Sequence, residues 1–273
     1  MIFKLLIIII FSLNQKSETI NVISYNIRYD NPKDGINNWN NRKSAVSNLL
    51  NNQNLDFIGL QEVLDSQLLY LVKDLIEYDF IGVGRKDGKT KGEYSPIFFQ
   101  KEKYKLLREN TFWLSETPEK ISRGWDASLE RICTYGLFLN KLTKKKIWIF
   151  NTHFDHKGKI ARSKSVDLLI DKINTLNFEN YPVIITGDFN LTPDKLPIKK
   201  MQHKFIDVQK NLLVSDKFYG TWNGFDTEKK SLKRIDYIFI EGLNISIAKH
   251  IYFKTPIGGW ASDHHPVFAS LKR

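Results

Sequence analysis

Polar residues in this chain repeatedly fall just past the end of a short apolar run. Asn26 follows Val22-Ile23-Ser24-Tyr25, and Glu62 follows Ile58-Gly59-Leu60-Gln61. His153 follows Trp148-Ile149-Phe150-Asn151-Thr152. Asp188 and Asn190 come after Val183-Ile184-Ile185-Thr186-Gly187, and Asp263 and His264 stand just before a run opening at Pro266. Strand ends that converge on one sheet edge are where rigid scaffolds present reactive groups. Glu62 and Asp263 offer hard carboxylate oxygens and Asn26 a neutral one, a set suited to Mg²⁺. A cation held there can neutralise a phosphate oxygen and the charge growing on a leaving group. His264, with an ordinary pKa near 6.5, can act as a base or as a charged stabiliser near neutrality. A carboxylate on its far ring nitrogen would fix its tautomer. Asp236, in Arg234-Ile235-Asp236-Tyr237-Ile238, is available for that.

Each of these residues alone has a plainer explanation. Asn26 suits a turn, and Glu62 suits the cap of a following helix. Asp188 and Asn190 are favoured in any strand-to-loop turn, and Asp263 can bond its own backbone. His264 alone would pass for a surface histidine. The chemical argument is therefore carried by the set.

The elements that must position the set read as alternating strands and helices. Thr19 to Arg28 alternates as a strand, and Asn38 to Asn54 has Ala45, Val46, Leu49 and Leu50 at helical spacing. Phe57 to Leu60 is a short buried strand, and Asp65 to Tyr78 a second helix. Tyr78 to Val83 and Pro96 to Gln100 flank a loop containing Gly84, Gly88 and Gly92. Tyr135 to Asn140 and Ile147 to Thr152 form a hairpin-like pair. Ile160 to Leu176 is a helix with Val166, Leu169, Ile170 and Ile173 on one face. Strands follow at Pro182 to Thr186, Ile235 to Ile240, Ile245 to Ile251 and Pro266 to Leu271. The pattern predicts a mixed α/β domain rich in antiparallel sheet. No composition shift marks a linker, so one domain is expected over residues 18–273.

Composition sets outer limits. The 273 residues are 42% hydrophobic, enough for a sizeable core, and no stretch is polar enough to stay unfolded. The 41 Lys and Arg against 30 Asp and Glu give a formal charge of +11. Such a balance attracts polyanions, although the lysines are spread widely and also fit a general solvated surface. The one cysteine, Cys133, excludes an intramolecular disulfide and a thiolate-held zinc. Met1 to Lys4, the apolar run Leu5 to Phe11 and the small residues after it predict an export signal over residues 1–17. A secreted or periplasmic location follows from that, or a cytoplasmic one if the run is a buried strand. The run is too short to span a bilayer, so no stable membrane insertion is expected.

The motifs Ser24-Tyr25-Asn26-Ile27-Arg28, Leu60-Gln61-Glu62-Val63, Asn151-Thr152-His153-Phe154, Gly187-Asp188-Phe189-Asn190, Ile235-Asp236-Tyr237-Ile238 and Ser262-Asp263-His264-His265-Pro266-Val267 occur in one order. In that order they resemble the endonuclease/exonuclease/phosphatase superfamily with the DNase I-like fold, over nearly the whole chain. The resemblance implies a four-layer α/β/β/α sandwich of two packed mixed sheets. It implies a metal-dependent phosphodiesterase, nuclease or phosphatase using Mg²⁺ or Mn²⁺. Asn26, Glu62 and Asp263 would hold the metal. Asp188 would orient or deprotonate the attacking water, and Asn190 and His153 would contact the phosphate. His264, held by Asp236, would be the acid, base or charged stabiliser; the resemblance does not separate it from Asp188 as base.

Among the branches, Leu191-Thr192-Pro193 after Asn190 departs from the inositol-polyphosphate phosphatases, and Asn151-Thr152-His153 departs from the apurinic endonucleases. Gly92-Glu93-Tyr94-Ser95-Pro96-Ile97-Phe98, Phe112 to Pro118, Gly124-Trp125-Asp126-Ala127 and His153-Phe154-Asp155-His156 are similar to an uncharacterised, mostly bacterial group related to the deadenylase and nocturnin branch. Arg131, His156 and Arg162 are candidate phosphate contacts, with surface ion pairs as the alternative. Trp222, Phe225 and Trp125 could stack on a base or sugar, or pack in the core. The expected partner is a phosphorylated substrate, such as a nucleotide or nucleic acid, met by a monomer. A phospholipid or sphingomyelin phosphodiesterase and a catalytically inactive phosphate-binding module are the competing expectations.

Overall fold

The computed structural model describes residues 18–212 and 219–273. The expected export signal at residues 1–17 lies outside them. The elements in order are β1 (Thr19–Asn26), a short 3-10 turn (Pro32–Asn37), α1 (Trp39–Asn51), β2 (Phe57–Gln61), α2 (Asp65–Asp74), β3 (Tyr78–Ile81), β4 (Ile97–Gln100), β5 (Tyr104–Trp113), β6 (Ile132–Asn140), β7 (Lys146–His153), α3 (Lys159–Leu176), β8 (Val183–Asp188), α4 (Leu196–Lys204), β9 (Ile206–Asp207), β10 (Asp236–Glu241), β11 (Asn244–His250) and β12 (Val267–Lys272). One sheet has the order β11-β12-β1-β2-β4-β3, the other β5-β6-β7-β8-β10-β9. Each is mixed: β1 with β2 and β7 with β8 are parallel, and the remaining pairs are antiparallel.

Strand alternation divides the apolar residues into three layers. Ile23 and Tyr25 of β1 and Ile58 and Leu60 of β2 face Val46, Leu49 and Leu50 of α1 and Leu68 and Leu71 of α2. Their neighbours Val22 and Phe57 face the opposite way, into a layer shared with Phe138, Ile149, Ile184 and Ile238 of the other sheet. On the far side, Trp148, Phe150, Val183 and Ile185 pack under Val166, Leu169 and Ile173 of α3 and Ile198 and Met201 of α4. The result is the expected four-layer sandwich. Strands covered on both faces carry unbroken apolar runs rather than alternation, as Val183 to Ile185 does. Among the described residues no helix is long and apolar enough to cross a membrane.

Some elements differ from expectation. β5 was not anticipated, because it is an edge strand whose middle, Lys105 to Asn110, is largely solvent-facing and carries a bulge between Leu106 and Arg108. α4 and the two-residue β9 were also missed; α4 has only nine residues and few apolar positions. α2 stops at Asp74 instead of reaching Tyr78, which opens β3. α1 begins where expected, with the Asn38 side chain accepting the Asn41 N–H at 3.3 Å.

The two sheets approach closely at Gly59. A Cβ there would overlap the Thr186 hydroxyl and lie 2.9 Å from Asn151 Oδ1. Gly59→Ala should therefore force the sheets apart and cost about 1–3 kcal/mol. Denaturant melts are the check, and an unchanged midpoint would show that the sheets can yield at this point.

Candidate active site

Strand register places the site residues in rows. In the second sheet His153 pairs with Asp188, and Asp188 with Asp236, so three reactive side chains lie across adjacent strands. In the first sheet Asn26 pairs with Gln61, one residue before Glu62. The loop leading into β12 crosses the seam between the sheets. Its Ser262 Oγ donates to the Asn26 carbonyl at 2.7 Å, and its His264 reaches Asp236. Arg28, Glu62 and Asn190 all take left-handed backbone conformations, with φ of 58°, 62° and 50°. Non-glycine residues accept that cost where the surroundings fix them, and here they turn side chains at strand ends into one space.

Glu62 and Asp263 share that space with a cation. Nη1 of Arg28 lies 3.9 Å from Glu62 Oε2 and 3.9 Å from Asp263 Oδ2, while its Nε is anchored on Asp34 at 2.9 Å. Burial pushes the Asp263 carboxyl above its ordinary range, and the charge of Glu62 adds to this. Arg28 is too distant to hydrogen-bond either carboxylate, so their charge is only partly answered. Two hard oxygen donors facing the single guanidinium of Arg28 fit Mg²⁺ or Mn²⁺, and no thiolate lines the cavity to favour a softer metal. Asn26 differs from the expected oxygen ligand. Its Nδ2 donates to Glu62 Oε1 at 3.1 Å and to Asp188 Oδ2 at 3.0 Å, and its Oδ1 accepts the Arg28 N–H at 3.0 Å. In this arrangement Asn26 ties the two carboxylates together.

His264 and Asp188 have opposite proton affinities. His264 Nδ1 donates to Asp236 Oδ2 at 2.8 Å, and its Nε2 lies 3.9 Å from Asp188 Oδ2. Burial works against an imidazolium here, but the charges of Asp236, Asp188 and Asp263 outweigh it and hold His264 well above the ordinary imidazole range. Burial and the nearby Asp236 push Asp188 up to about 7, with His264 opposing them. Asp188, Asp236 and His264 also bring ligand atoms within 4.8 Å of one another, the spacing of a metal cluster. A protonated imidazole cannot ligate, and its Nδ1 is already committed to Asp236, so this group is better fitted to hold a proton. His153 is kept neutral, by burial first and then by the charges of Arg131 and Arg85. Its Nε2 lies 3.2 Å from Asn190 Nδ2 and 3.5 Å from Asp188 Oδ2.

These residues open onto a cavity of about 680 Å³. Glu62, His153, Asp188, Asn190, Asp263 and His264 line it, and so do Arg131, His156, Arg162 and Trp222. Asn26 and Asp236 are fully buried behind the wall. Trp222 is 38% exposed, with Lys233 Nζ 4.5 Å over its ring. Neither Trp125 nor Phe225 lines the cavity; Phe225 instead packs on the Arg42 guanidinium at 5.3 Å. Arg28 and Glu93 also line the cavity, and neither residue type marks itself as functional in the sequence, although each stands inside a family-like motif. Glu93 is clamped by Arg85 at 2.7 and 2.9 Å and lies 3.9 Å from His153 Nδ1.

Asp155 holds the loops on one side of the cavity. Its carboxylate accepts from Ser128 N–H and Oγ at 3.1 and 2.9 Å, and from the N–H groups of Lys157 and Gly158 at 2.9 and 2.7 Å. Burial alone would raise its pKa, but these donors win and hold it far below the usual carboxylate range. A carboxyl depressed on folding stabilises the protein above its unfolded pKa, and that stability is lost as pH falls through its folded pKa. Asp155→Asn should cost about 1–3 kcal/mol near neutral pH. In melts from neutral pH downward, the gap to the parent should narrow once pH drops below about 4. A constant gap would mean that the charge is not what stabilises.

The comparisons with known proteins fit this geometry. Residues 23–264 match the model of the Endonuclease/Exonuclease/phosphatase family. An endonuclease/exonuclease/phosphatase structure from Bacteroides vulgatus is 37% identical, covers 93% of this chain and 98% of its own, and superposes with a TM-score of 0.85. A mannosyl-6-phosphatase structure from Bacteroides thetaiotaomicron is 34% identical over 92% of this chain and 99% of its own, with a TM-score of 0.82. A protein of Acanthamoeba polyphaga mimivirus is 30% identical over 84% of this chain and 90% of its own length. With the site residues of both sheets falling inside the matched region, the chain belongs to the endonuclease/exonuclease/phosphatase family.

Proposed function

We propose that this chain is a divalent-cation-assisted phosphoester hydrolase whose substrate is a small phosphorylated molecule, in the first place a sugar phosphate. One observation carries the reading. A hard-oxygen pair, Glu62 and Asp263, meets a carboxyl–imidazole pair of opposite proton affinity, Asp188 and His264, in one cavity. Mg²⁺ or Mn²⁺ held by Glu62 and Asp263, with Asn26 behind them, would supply charge neutralisation at the phosphate oxygens.

The chain's own residues handle the protons. Asp188, with its carboxyl near neutrality, is basic enough to take a proton from the attacking water at Oδ2. His264 holds a proton on Nε2 because Asp236 bonds its Nδ1. It donates to a phosphoryl oxygen and passes that proton to the departing alkoxide. Water attacks phosphorus, the P–O bond to the leaving group breaks, and the proton lost to Asp188 balances the one given by His264. Neutral His153 and the Asn190 amide flank Asp188 and line the cavity without adding charge beside the phosphate. This complete set weighs against a purely phosphate-binding role. The sugar-phosphate choice draws on the likeness to the mannosyl-6-phosphatase, and a 680 Å³ cavity with one exposed indole suits a group the size of a monosaccharide.

Mannose 6-phosphate and p-nitrophenyl phosphate should be hydrolysed with Mg²⁺ or Mn²⁺ and not in EDTA. Asp188→Asn and His264→Gln should each lower kcat by about 10²–10⁴. Absence of turnover with every metal, or full activity in Asp188→Asn, overturns the reading. The pH profile is a separate check. Asp188 acts as the carboxylate, so kcat/KM should rise through about pH 7 as its proton leaves. It should fall again above the ordinary imidazole range, where His264 loses its proton. A flat profile across roughly pH 5 to 9 would remove this assignment of base and acid.

A further inference from the structure

The cavity wall beyond His153 carries donors that the hydrolytic step does not use. We propose that His156 and Arg162 form a second oxyanion subsite, which holds a phosphate or carboxylate borne by the leaving group. The proposal rests on the hydrolase reading above and narrows it to substrates with two anionic groups.

Arg131 fixes the chemistry of His156. Its guanidinium is buried, and its Nη2 lies 3.0 Å from His156 Nδ1. A guanidinium only donates, so Nδ1 must accept and the ring hydrogen must stand on Nε2. Burial and the Arg131 charge also lower the proton affinity of His156, which agrees with a neutral ring. His156 is exposed and lines the cavity, so it presents a fixed Nε2–H donor to whatever enters. Arg131 acts through His156 as a positioning residue.

Arg162 lines the same cavity and is half-buried. The only hydrogen bond its guanidinium makes among the described residues runs from Nη1 to the Asp155 carbonyl at 2.9 Å, and its Nε is buried without a partner. No carboxylate bonds it. That of Asp155 is taken by Ser128, Lys157 and Gly158, with Arg131 Nε at 3.5 Å. That of Asp126 takes the Ile160 and Ala161 N–H groups at the start of α3. One cavity wall therefore carries both a neutral N–H donor and a planar cation whose outer Nη donors are uncommitted among the described residues. An oxyanion satisfies both, because Arg bonds phosphate and carboxylate through two parallel N–H groups.

The test uses the full chain with Mg²⁺ and compares kcat/KM within two substrate pairs. Fructose 1,6-bisphosphate against fructose 6-phosphate tests a second phosphate. 6-Phosphogluconate against glucose 6-phosphate tests a carboxylate. The doubly anionic member of at least one pair should be preferred by about ten-fold or more, and the pair that responds identifies the oxyanion. Arg162→Gln and His156→Ala should each pull that ratio towards one, chiefly through KM of the doubly anionic member, with melting midpoints close to the parent. In Arg131→Gln, nitrogen-15 shifts of His156 should no longer report a single tautomer, a change that loss of packing alone would not produce. Equal kcat/KM within both pairs, or a preference that survives both variants, overturns the subsite while leaving the hydrolase standing. Absence of turnover of all four substrates while p-nitrophenyl phosphate is still hydrolysed overturns the subsite alone; absence of turnover of p-nitrophenyl phosphate as well overturns the hydrolase and the subsite with it.

Discussion

The site depends on a polar clasp buried between two apolar sheets. Asn151 Oδ1 accepts from Gln61 Nε2 at 2.7 Å and from Thr186 Oγ1 at 3.0 Å, while Asn151 Nδ2 donates to the carbonyls of Leu60 and Pro96 at 2.7 and 2.8 Å. Gln61 Nε2 also reaches Ser24 Oγ at 3.3 Å. Apolar contact between sheets is non-directional and would tolerate sliding. Hydrogen bonds in a dry interior are not, because a slip would leave several groups unpaired at about 1–3 kcal/mol each. Every side chain of the clasp precedes a site residue by one or two positions: Ser24 before Asn26, Gln61 before Glu62, Asn151 before His153 and Thr186 before Asp188. Fixing the clasp fixes the distance between the half-sites. The missing side chain of Gly59 is what lets the sheets come close enough for it.

At the mouth of the seam the fold concentrates charge that it does not fully neutralise. Asp263 and Asp188 are both buried and both pushed up in pKa, and Arg28 stands back from the carboxylates it faces. A protein selected for stability alone would pair these groups or replace them with apolar ones. Left-handed backbone at Arg28, Glu62 and Asn190 adds strain at the same place. Stability is given up where a cation and a phosphate ester would regain it on binding. Asp155 shows the opposite design, a buried carboxylate met by donors from Ser128, Lys157 and Gly158, and it holds the loops on one side of the cavity.

The two flanks of the cavity separate reaction from recognition. His153, Asp188 and Asp236 stand at strand ends, where sheet register limits their movement, and Asp236 ties His264 to them from the loop before β12. Arg131, His156, Arg162 and Trp222 come from loops and from the first turns of α3, which can vary without disturbing the sheets. The comparisons follow the same division: they show the family across residues 23–264, whereas the substrate is a question about the loops.

The sequence by itself determined a mixed α/β domain with polar groups gathered at its strand ends, and the family resemblance implied its four layers. Short, mostly apolar runs leading to Asn26, Glu62, His153 and Asp188 required buried strands with polar ends, and helical spacing in α1 and α3 required cover for them. Edge strand β5 and the short α4 were illegible because little of either is buried, and periodicity records only burial. Tertiary structure alone decided how each of these residues is placed and which partners it has. It turned the Asn26 amide nitrogen toward Glu62 and Asp188, gave Asp188 and His264 opposite proton affinities, and set Arg131 against His156. The physical reason is range. Burial is encoded by neighbours a few residues apart, whereas pKa, tautomer and donor direction depend on charges brought together from as far apart in the chain as Asn26 and Ser262.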